Sequence, residues 1–408
     1  MSTTPKRIID SWIWLLVLFS LASFFETIFW GQMGAFTPGY LPHIGVTDPN
    51  DVKAWTGFIA AIASIIGIPF LPLWGALADR YSRKPIIIRS YFAHLIAGTI
   101  AILAHNVWVF VIGRSIMSFA LGNSGLMMTT LSERAPRTRQ GLAFSIMNSA
   151  SPIGAFVGPL LGGPVVDKSG FPTLLAIDMV LMLVIIVGLS LGYRDQFTGT
   201  DRGSIGRMAI DSVRIIWNSK RLRTLFPALF MLFAGGMMAF TYIPLVVTQI
   251  YQGADANSAI GLVVGLGGLS TLILGPTIGA IADRVGHWRV LFIGSIISIL
   301  LWPIPGFMRD LTSFTLAWAI LNGTVWSIFA LSFSVLSSSA TEETRGRVMS
   351  FAFLPVNVGS IIGPAIGSAV TQASLFNVFP VAAVFTAIGV GGLVLAYRQP
   401  MTEVPSPA

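Results

Sequence analysis

The chain has 408 residues, 54% of them hydrophobic and only 10% charged, with a formal net charge of +8 and no cysteine. A soluble domain carries about 25% charged residues, so most of this protein's exterior must face something apolar. Without cysteine, disulfides, thiol chemistry and thiolate-bound metals are excluded, and no G-x-x-x-x-G-K-[ST] loop is present to cradle a nucleotide.

Crossing a bilayer as a helix takes roughly 20 predominantly apolar residues. Windows of that length, nearly free of charge, run over 11–36, 54–78, 86–104, 107–130, 141–165 and 171–193. They resume over 225–249, 258–281, 290–308, 313–338, 348–371 and 376–397. Only helices and closed barrels satisfy their own backbone inside lipid, and the alternation of a barrel strand is missing. The fold class expected is therefore an all-α membrane protein of twelve transmembrane helices. The first window is too long for the apolar core of a secretory signal and lacks a small-residue cleavage site, so it is expected to remain as the first helix.

Basic residues set the expected orientation. With the N-terminus cytoplasmic, the inner segments collect Lys6, Arg7, Arg80, Arg83, Lys84, Arg134, Arg137, Arg139 and the seven basic residues of 194–224. The outer loops hold only Lys53, Lys168 and Arg309. By the positive-inside rule both termini are cytoplasmic. The positive charge thus reports topology and calls for no nucleic-acid partner. The four histidines, His43, His94, His105 and His287, are scattered without metal-ligand spacing, so no metal is expected.

The chain is written twice. GALADRYSRKP (75–85) returns as GAIADRVGHWR (279–289), and Gly154, Gly158, Pro159 and Gly162 return as Gly359, Gly363, Pro364 and Gly367. Landmarks repeating at half the chain length predict an N-terminal six-helix bundle over 1–193 and a cytoplasmic linker over 194–224. A C-terminal bundle over 225–397 and a tail over 398–408 complete the layout. Parallel repeats of this kind place a solute site at their interface.

These motifs resemble those of the major facilitator superfamily, whose loop between helices 2 and 3 reads G-x-L-A-D-R-x-G-R-K. The match holds at Gly75, Leu77, Ala78, Asp79, Arg80, Arg83 and Lys84; Ser82 replaces the second glycine, so the turn must form without it. The second copy keeps Asp283, Arg284 and Gly286 but puts His287 and Trp288 at the basic pair. The resemblance implies a gating loop in which Asp79 caps helix 11 and pairs with nearby arginines, closing the inner side. G-x-x-x-G-P-x-x-G-G, carried by Gly154, Gly158, Pro159, Gly162 and Gly163, resembles the signature of the proton-coupled antiporters and implies export. Close helix packing alone would also account for such a small-residue ladder.

Ionisable residues at membrane depth cost at least about 2.5–3.5 kcal/mol each and are functional candidates by default. Glu26, Arg89, His94, Arg114 and Asp178 are the ones present. Counting roughly 1.5 Å per residue puts Glu26, Arg114 and Asp178 at similar heights in the outer half. Arg89 lies close enough to the inner end of its helix to snorkel, and His94 reads as a hydrogen-bonded core histidine. Glu26 also looks like the embedded acid of drug/proton antiporters, and the resemblance gives Arg114 a part in proton coupling. The expected scheme has Glu26 as the shared proton and cation site, within reach of Arg114, with Asp178 auxiliary. Positions one repeat later are Met231, Ala319 and Ala383, so membrane charge is confined to the first half. Met and aromatic residues crowd helices 7, 10 and 11 (among them Met237, Phe240, Trp326, Phe329, Phe333 and Phe353) and suit an apolar pocket.

The expected function is proton-driven export of drugs or small amphipathic or cationic molecules across the cell membrane, by a monomer with no cofactor. The alternatives are a proton symporter importing a sugar or organic acid, and a lipid or glycolipid flippase. Few polar side chains (Gln32, Asn123, Gln249, Asn322) are on offer for a polar solute. No nucleophile–base constellation can be assembled, which speaks against an enzyme.

Overall fold

The computed structural model describes residues 11–70, 77, 82–120, 122–195 and 213–400, and among these every regular element is helical. Twelve helices are long and apolar enough to cross a membrane. In the first half they are α1 (Trp12–Ile44), α2 (Pro49–Phe70), α3 (Arg83–Ile102), α4 (Val107–Arg134), α5 (Arg137–Ser169) and α6 (Phe171–Gly192). The second half supplies α7 (Lys220–Ile250), α8 (Ala256–Val285), α9 (His287–Phe307), α10 (Leu311–Ser338), α11 (Leu354–Ala373) and α12 (Leu375–Arg398). The chain is a multi-pass membrane protein.

Local signals explain where these helices start. Ser11, Asp48, Asn106, Ser219 and Asp310 each accept a hydrogen bond from a first-turn N–H of the helix that follows, the usual way to satisfy donors that have no intrahelical partner. Two boundaries differ from the hydropathy windows. Ser219 opens α7 at Lys220, five residues inside the segment expected to be linker, because a cap and long basic side chains can start a helix before its apolar stretch begins. The window at 348–371 began early: Glu342–Ser350 forms a short helix of its own, and α11 opens at Leu354 with Pro355 in its first turn.

Within the first half α1 packs on α5 and α6, and α3 packs on α4 and α6; in the second half α7 packs on α11 and α12, and α9 on α10 and α12. The same helix positions recur in both copies. Across the halves, α5 lies against α8 and α2 against α11. Alternation of the helices puts the α1–α2, α5–α6, α7–α8 and α11–α12 loops on one face, here the far face. The start of α1, the end of α6, the start of α7 and the end of α12 lie on the other, the terminus face.

Cross-half contacts concentrate toward the far face. A methyl group on Gly163 of α5 would sit 2.5 Å from Asn257 O of α8, and one on Gly268 would sit 2.8 Å from Phe156 N. Further along α8 toward the terminus face, Gly275 and Gly279 have nothing within 4 Å. Among the described residues, the close glycine contacts between these two helices thus lie in their far portions.

Candidate functional site

α1 carries the embedded acid. Glu26 is buried, 9% exposed. Its Oε2 accepts from Asn123 Nδ2 at 2.8 Å and from the Tyr91 hydroxyl at 3.3 Å. Tyr91 belongs to α3 and is itself fully buried. Asn123 owes its position to a break in α4: the α-helix ends at Ile116, a tighter turn covers Met117–Ala120, and the helix restarts at Asn123. Gly122, at φ +97°, makes the restart possible, since only glycine takes that conformation freely.

Arg114 does not join this group. Its guanidinium lies over the Trp30 ring, 5.4 Å from the centroid, and its Nη1 lies 3.1 Å from Met117 Sδ. The ion pairs among the described residues are Arg83–Glu133 and Asp283–His287, so the expected Glu26–Arg114 pairing is replaced by two neutral donors. One helical turn separates Glu26 from Trp30; the turn that sends Glu26 to Asn123 sends Trp30 to Arg114. Asp178 is buried at 2% exposure, and its Oδ2 has no hydrogen-bond partner. His94 is fully buried, meets Phe29 and Trp30 edge-on, and has the Ser90 backbone one helical turn away within reach of its ring.

Of the gating loop, Gly75, Asp79 and Arg80 lie outside the described residues. Arg83 and Lys84 are fastened within the first half. Arg83 makes a two-pronged pair with Glu133 at the end of α4, at 2.6 and 2.8 Å. Asp195 Oδ2 accepts from the Ser82 hydroxyl at 2.6 Å and from the backbone N–H groups of Arg83 and Lys84 at 2.6 and 3.1 Å. Ser82, extended at φ −166°, thus opens α3 without the glycine of the family pattern. Lys84 Nζ donates to Ser190 O at 2.6 Å. In the second copy, Asp283 reaches His287 at 3.3 Å on an exposed surface, and Arg284 lies beside it in the last turn of α8. Trp288 lies under the Arg221 guanidinium at 5.1 Å.

The glycine ladder of α5 works on two sides. Methyl groups at Gly154 and Gly158 would meet Phe24 O at 2.6 Å and Ile28 Cα at 2.9 Å, so these glycines seat α5 on α1. Gly162 faces Phe36 and Leu174, while Gly163 and the Pro159 carbonyl face α8, where Gly261, Gly265 and Gly268 supply an answering ladder. Gln32 Nε2 donates to Gly158 O beside the Pro159 kink at 3.0 Å. In the second copy Gly359, Gly363 and Gly367 seat α11 on α7 through Ala234, Met238 and Tyr242.

Three polar fasteners cross between the halves at the far face, and the strongest was not singled out from the sequence. Asp167, at the far end of α5, accepts from Asn257 N and Nδ2 at 3.1 and 2.9 Å and from Ser258 N and Oγ at 2.8 and 2.5 Å. The Tyr242 hydroxyl lies 3.2 Å from Lys53 O, and Gln372 Nε2 donates to Asn50 O at 3.4 Å.

The second half presents an aromatic ladder. Trp318, Phe240 and Trp326 follow one another at centroid spacings of 5.3 and 5.5 Å; Trp326, Phe329, Phe333 and Phe353 continue at 4.9, 5.2 and 4.8 Å. Asn322, in the middle of this run, spends its amide on Gly267 O and the Thr271 hydroxyl, at 2.8 and 3.1 Å. Gln32 and Asn123 are engaged inside the protein in the same way, so three of the four polar side chains counted for a polar solute already have internal work.

Comparison with known proteins agrees with this architecture. The chain is 27% identical over 368 residues to the multidrug resistance protein MdtG of Enterobacter lignolyticus (strain SCF1), covering 87% of this chain and 86% of that one. It is 25% identical over 391 residues to the protein of the same name from Yersinia enterocolitica, covering 94% and 92%. Among solved structures, the nucleoside transporter NupG superposes with a TM-score of 0.77 at 16% identity, over 95% of this chain and all of the other. A bacterial homologue of the human lysosomal transporter Spinster, in an inward-facing and unoccupied conformation, gives 0.72 at 14% identity, over 97% and 98%. The family model described as Major Facilitator Superfamily matches residues 18–300 and 250–408, and the chain belongs to that family.

Proposed function

We propose that this transporter exports small amphipathic or cationic compounds in exchange for protons, by alternating access of a cleft between its halves. The observation that carries the reading is the setting of Glu26: a buried carboxyl on α1 held by Asn123 and Tyr91, with no cation within ion-pair distance among the described residues. A carboxyl held by neutral donors keeps its charge available for either a proton or a positively charged cargo, and competition between them makes exchange obligatory. The aromatic ladder supports an apolar or cationic cargo, whose charge is attracted to ring faces. The internal hydrogen bonds of Asn123 and Asn322 speak against import of a polar solute. With the terminus face cytoplasmic, as the basic residues indicate, the far-face contacts among the described residues support an inward-facing arrangement. The relatives named for multidrug resistance lend the cargo class its support.

The test is efflux of a cationic dye from energised whole cells, with and without an uncoupler. Export that stops when the proton gradient collapses, and that is lost in Glu26→Gln, is expected. Undiminished export under either condition overturns the reading.

A further inference from the structure

A second polar locus lies inside the second half, away from Glu26 and from the cross-half contacts. Leu232 and Phe233 of α7, Val325, Ile328 and Phe329 of α10, and Thr386 of α12 line a partly open pocket against one face of α9. That face presents Ser295, Ser298 and Trp302, spaced so that they fall on one side of a helix. All three are almost completely buried, at 0%, 2% and 1% exposure. Yet Ser295 Oγ, Ser298 Oγ and Trp302 Nε1 have no hydrogen-bond partner among the described residues.

This is unusual within the same bundle. Buried hydroxyls nearby bond back to their own helix: Ser327 to Gly323 O at 2.6 Å and Thr386 to Ala382 O at 2.8 Å. Ser295 and Ser298 do not, and buried polar groups almost always find a partner. Three orphaned groups on one face, all lining one pocket, point to an occupant.

We propose that this pocket is a hydration site, in which Ser295, Ser298 and Trp302 together bind an ordered water. The space available, about 20 Å³, exceeds the roughly 10–15 Å³ that one water requires, and three polar partners is the number a buried water typically has. The water can engage all three groups: Trp302 Nε1–H and one serine hydroxyl donate to its oxygen, and one of its hydrogens goes to the other serine oxygen. No charged side chain lines the pocket, and the indole can only donate, so a metal cation would lack a ligand set. An apolar group would leave all three polar atoms unsatisfied.

The site sits directly behind the aromatic ladder, since Phe329 belongs to both and the Trp302 ring lies 6.4 Å from that of Phe240. Water there would satisfy the polar face of α9 where it meets the apolar wall formed by α7 and α10.

Two measurements test this on the full-length protein. A structure at a resolution that reveals waters should show a compact density peak within hydrogen-bond distance of at least two of the three polar atoms. Thermal unfolding of Ser298→Ala should show a midpoint about 2 °C lower, because the water loses a partner and the remaining groups are less well satisfied. In a dry pocket the same substitution removes an orphaned hydroxyl and the midpoint stays level or rises. Either that result, or a pocket that is empty or filled by elongated density from lipid or cargo, overturns the proposal.

Discussion

Asp167 offers the sharpest test of the alternating-access geometry. Its carboxylate crosses from the first half to the first turn of α8 and accepts four hydrogen bonds there, two from backbone N–H groups and two from side chains. Asp167→Ala removes a cap from that helix, worth about 0.5–2 kcal/mol, and a negative charge at its N-terminus, worth about 0.3–1 kcal/mol. Water replaces the lost acceptor at this partly exposed site, so the net loss is on the order of 2 kcal/mol rather than the sum of four buried charged bonds. That loss falls on the closed far face alone, because the contact cannot exist when the halves separate there. A change of 2 kcal/mol is roughly a thirtyfold shift between two conformations, enough to alter which one dominates when they differ by a few kcal/mol.

The chain has no cysteine, so a distance probe can be placed without first removing native thiols. Spin labels attached through Lys168→Cys on α5 and Ala254→Cys before α8 report the far-face separation by pulsed electron resonance. The expected result is a shift of population from the short to the long distance in Asp167→Ala, with a smaller shift in Asp167→Asn, which keeps an acceptor but loses the charge. An unchanged distance distribution in Asp167→Ala would refute the assignment of this contact as the far-side fastener.

Three further outcomes are expected. Asn123→Leu removes the 2.8 Å hydrogen bond to Glu26 and should lower proton-driven dye efflux at least severalfold while surface expression is retained, measured on the same cells. Gly158→Leu should lower thermal stability strongly, because even its Cβ would lie 2.9 Å from Ile28 Cα, whereas Gly279→Ala meets nothing within 4 Å and should gain about 0.5–1 kcal/mol from helix propensity; unfolding midpoints in detergent compare the two. Arg83→Lys keeps the charge but cannot make both bonds to Glu133, so it should be destabilising, and a charge-only role predicts no change in midpoint.

Hydropathy made the twelve helices legible because lipid imposes one constraint on every residue of a span. The repeat exposed the glycine faces of α5 and α11, since close backbone approach demands glycine wherever it occurs, but only the packed helices show that these faces seat on α1 and α7. Glu26 stood out for the same kind of reason: a carboxyl at that depth needs a cause. Its partners did not stand out. Whether Asn123 or Arg114 reaches Glu26 depends on the break in α4, and the GNSG stretch signals a break without saying how far the following turn rotates. Asp167 was missed because it lies just past an apolar window, where an acid looks like loop solvation, and its partners are 90 and 91 residues away. Glu133 and Asp195 were hidden similarly: the sequence shows basic residues around 80–84, but only the packed helices show which acid each one meets.

A common chemistry joins the polar contacts that were hidden. Asp195 seats on the first turn of α3, and Asp167 seats on the first turn of α8, each gathering backbone N–H groups that a helix leaves unpaired. Such a contact is directional and strong when made. It is also cheap to release, because at a membrane surface both the carboxylate and the helix end rehydrate on separation. An apolar interface has no such choice: the wide faces that seat α5 on α1 must stay buried or be covered by lipid. The two carboxylates differ in which elements they join. Asp195 follows α6 and holds α3 of the same half, so rocking of the halves leaves it intact. Asp167 lies at the end of α5 and holds α8 of the other half, so the proposed motion would break it. The bond type is shared, and under that proposal topology alone makes one a permanent fastener and the other a latch.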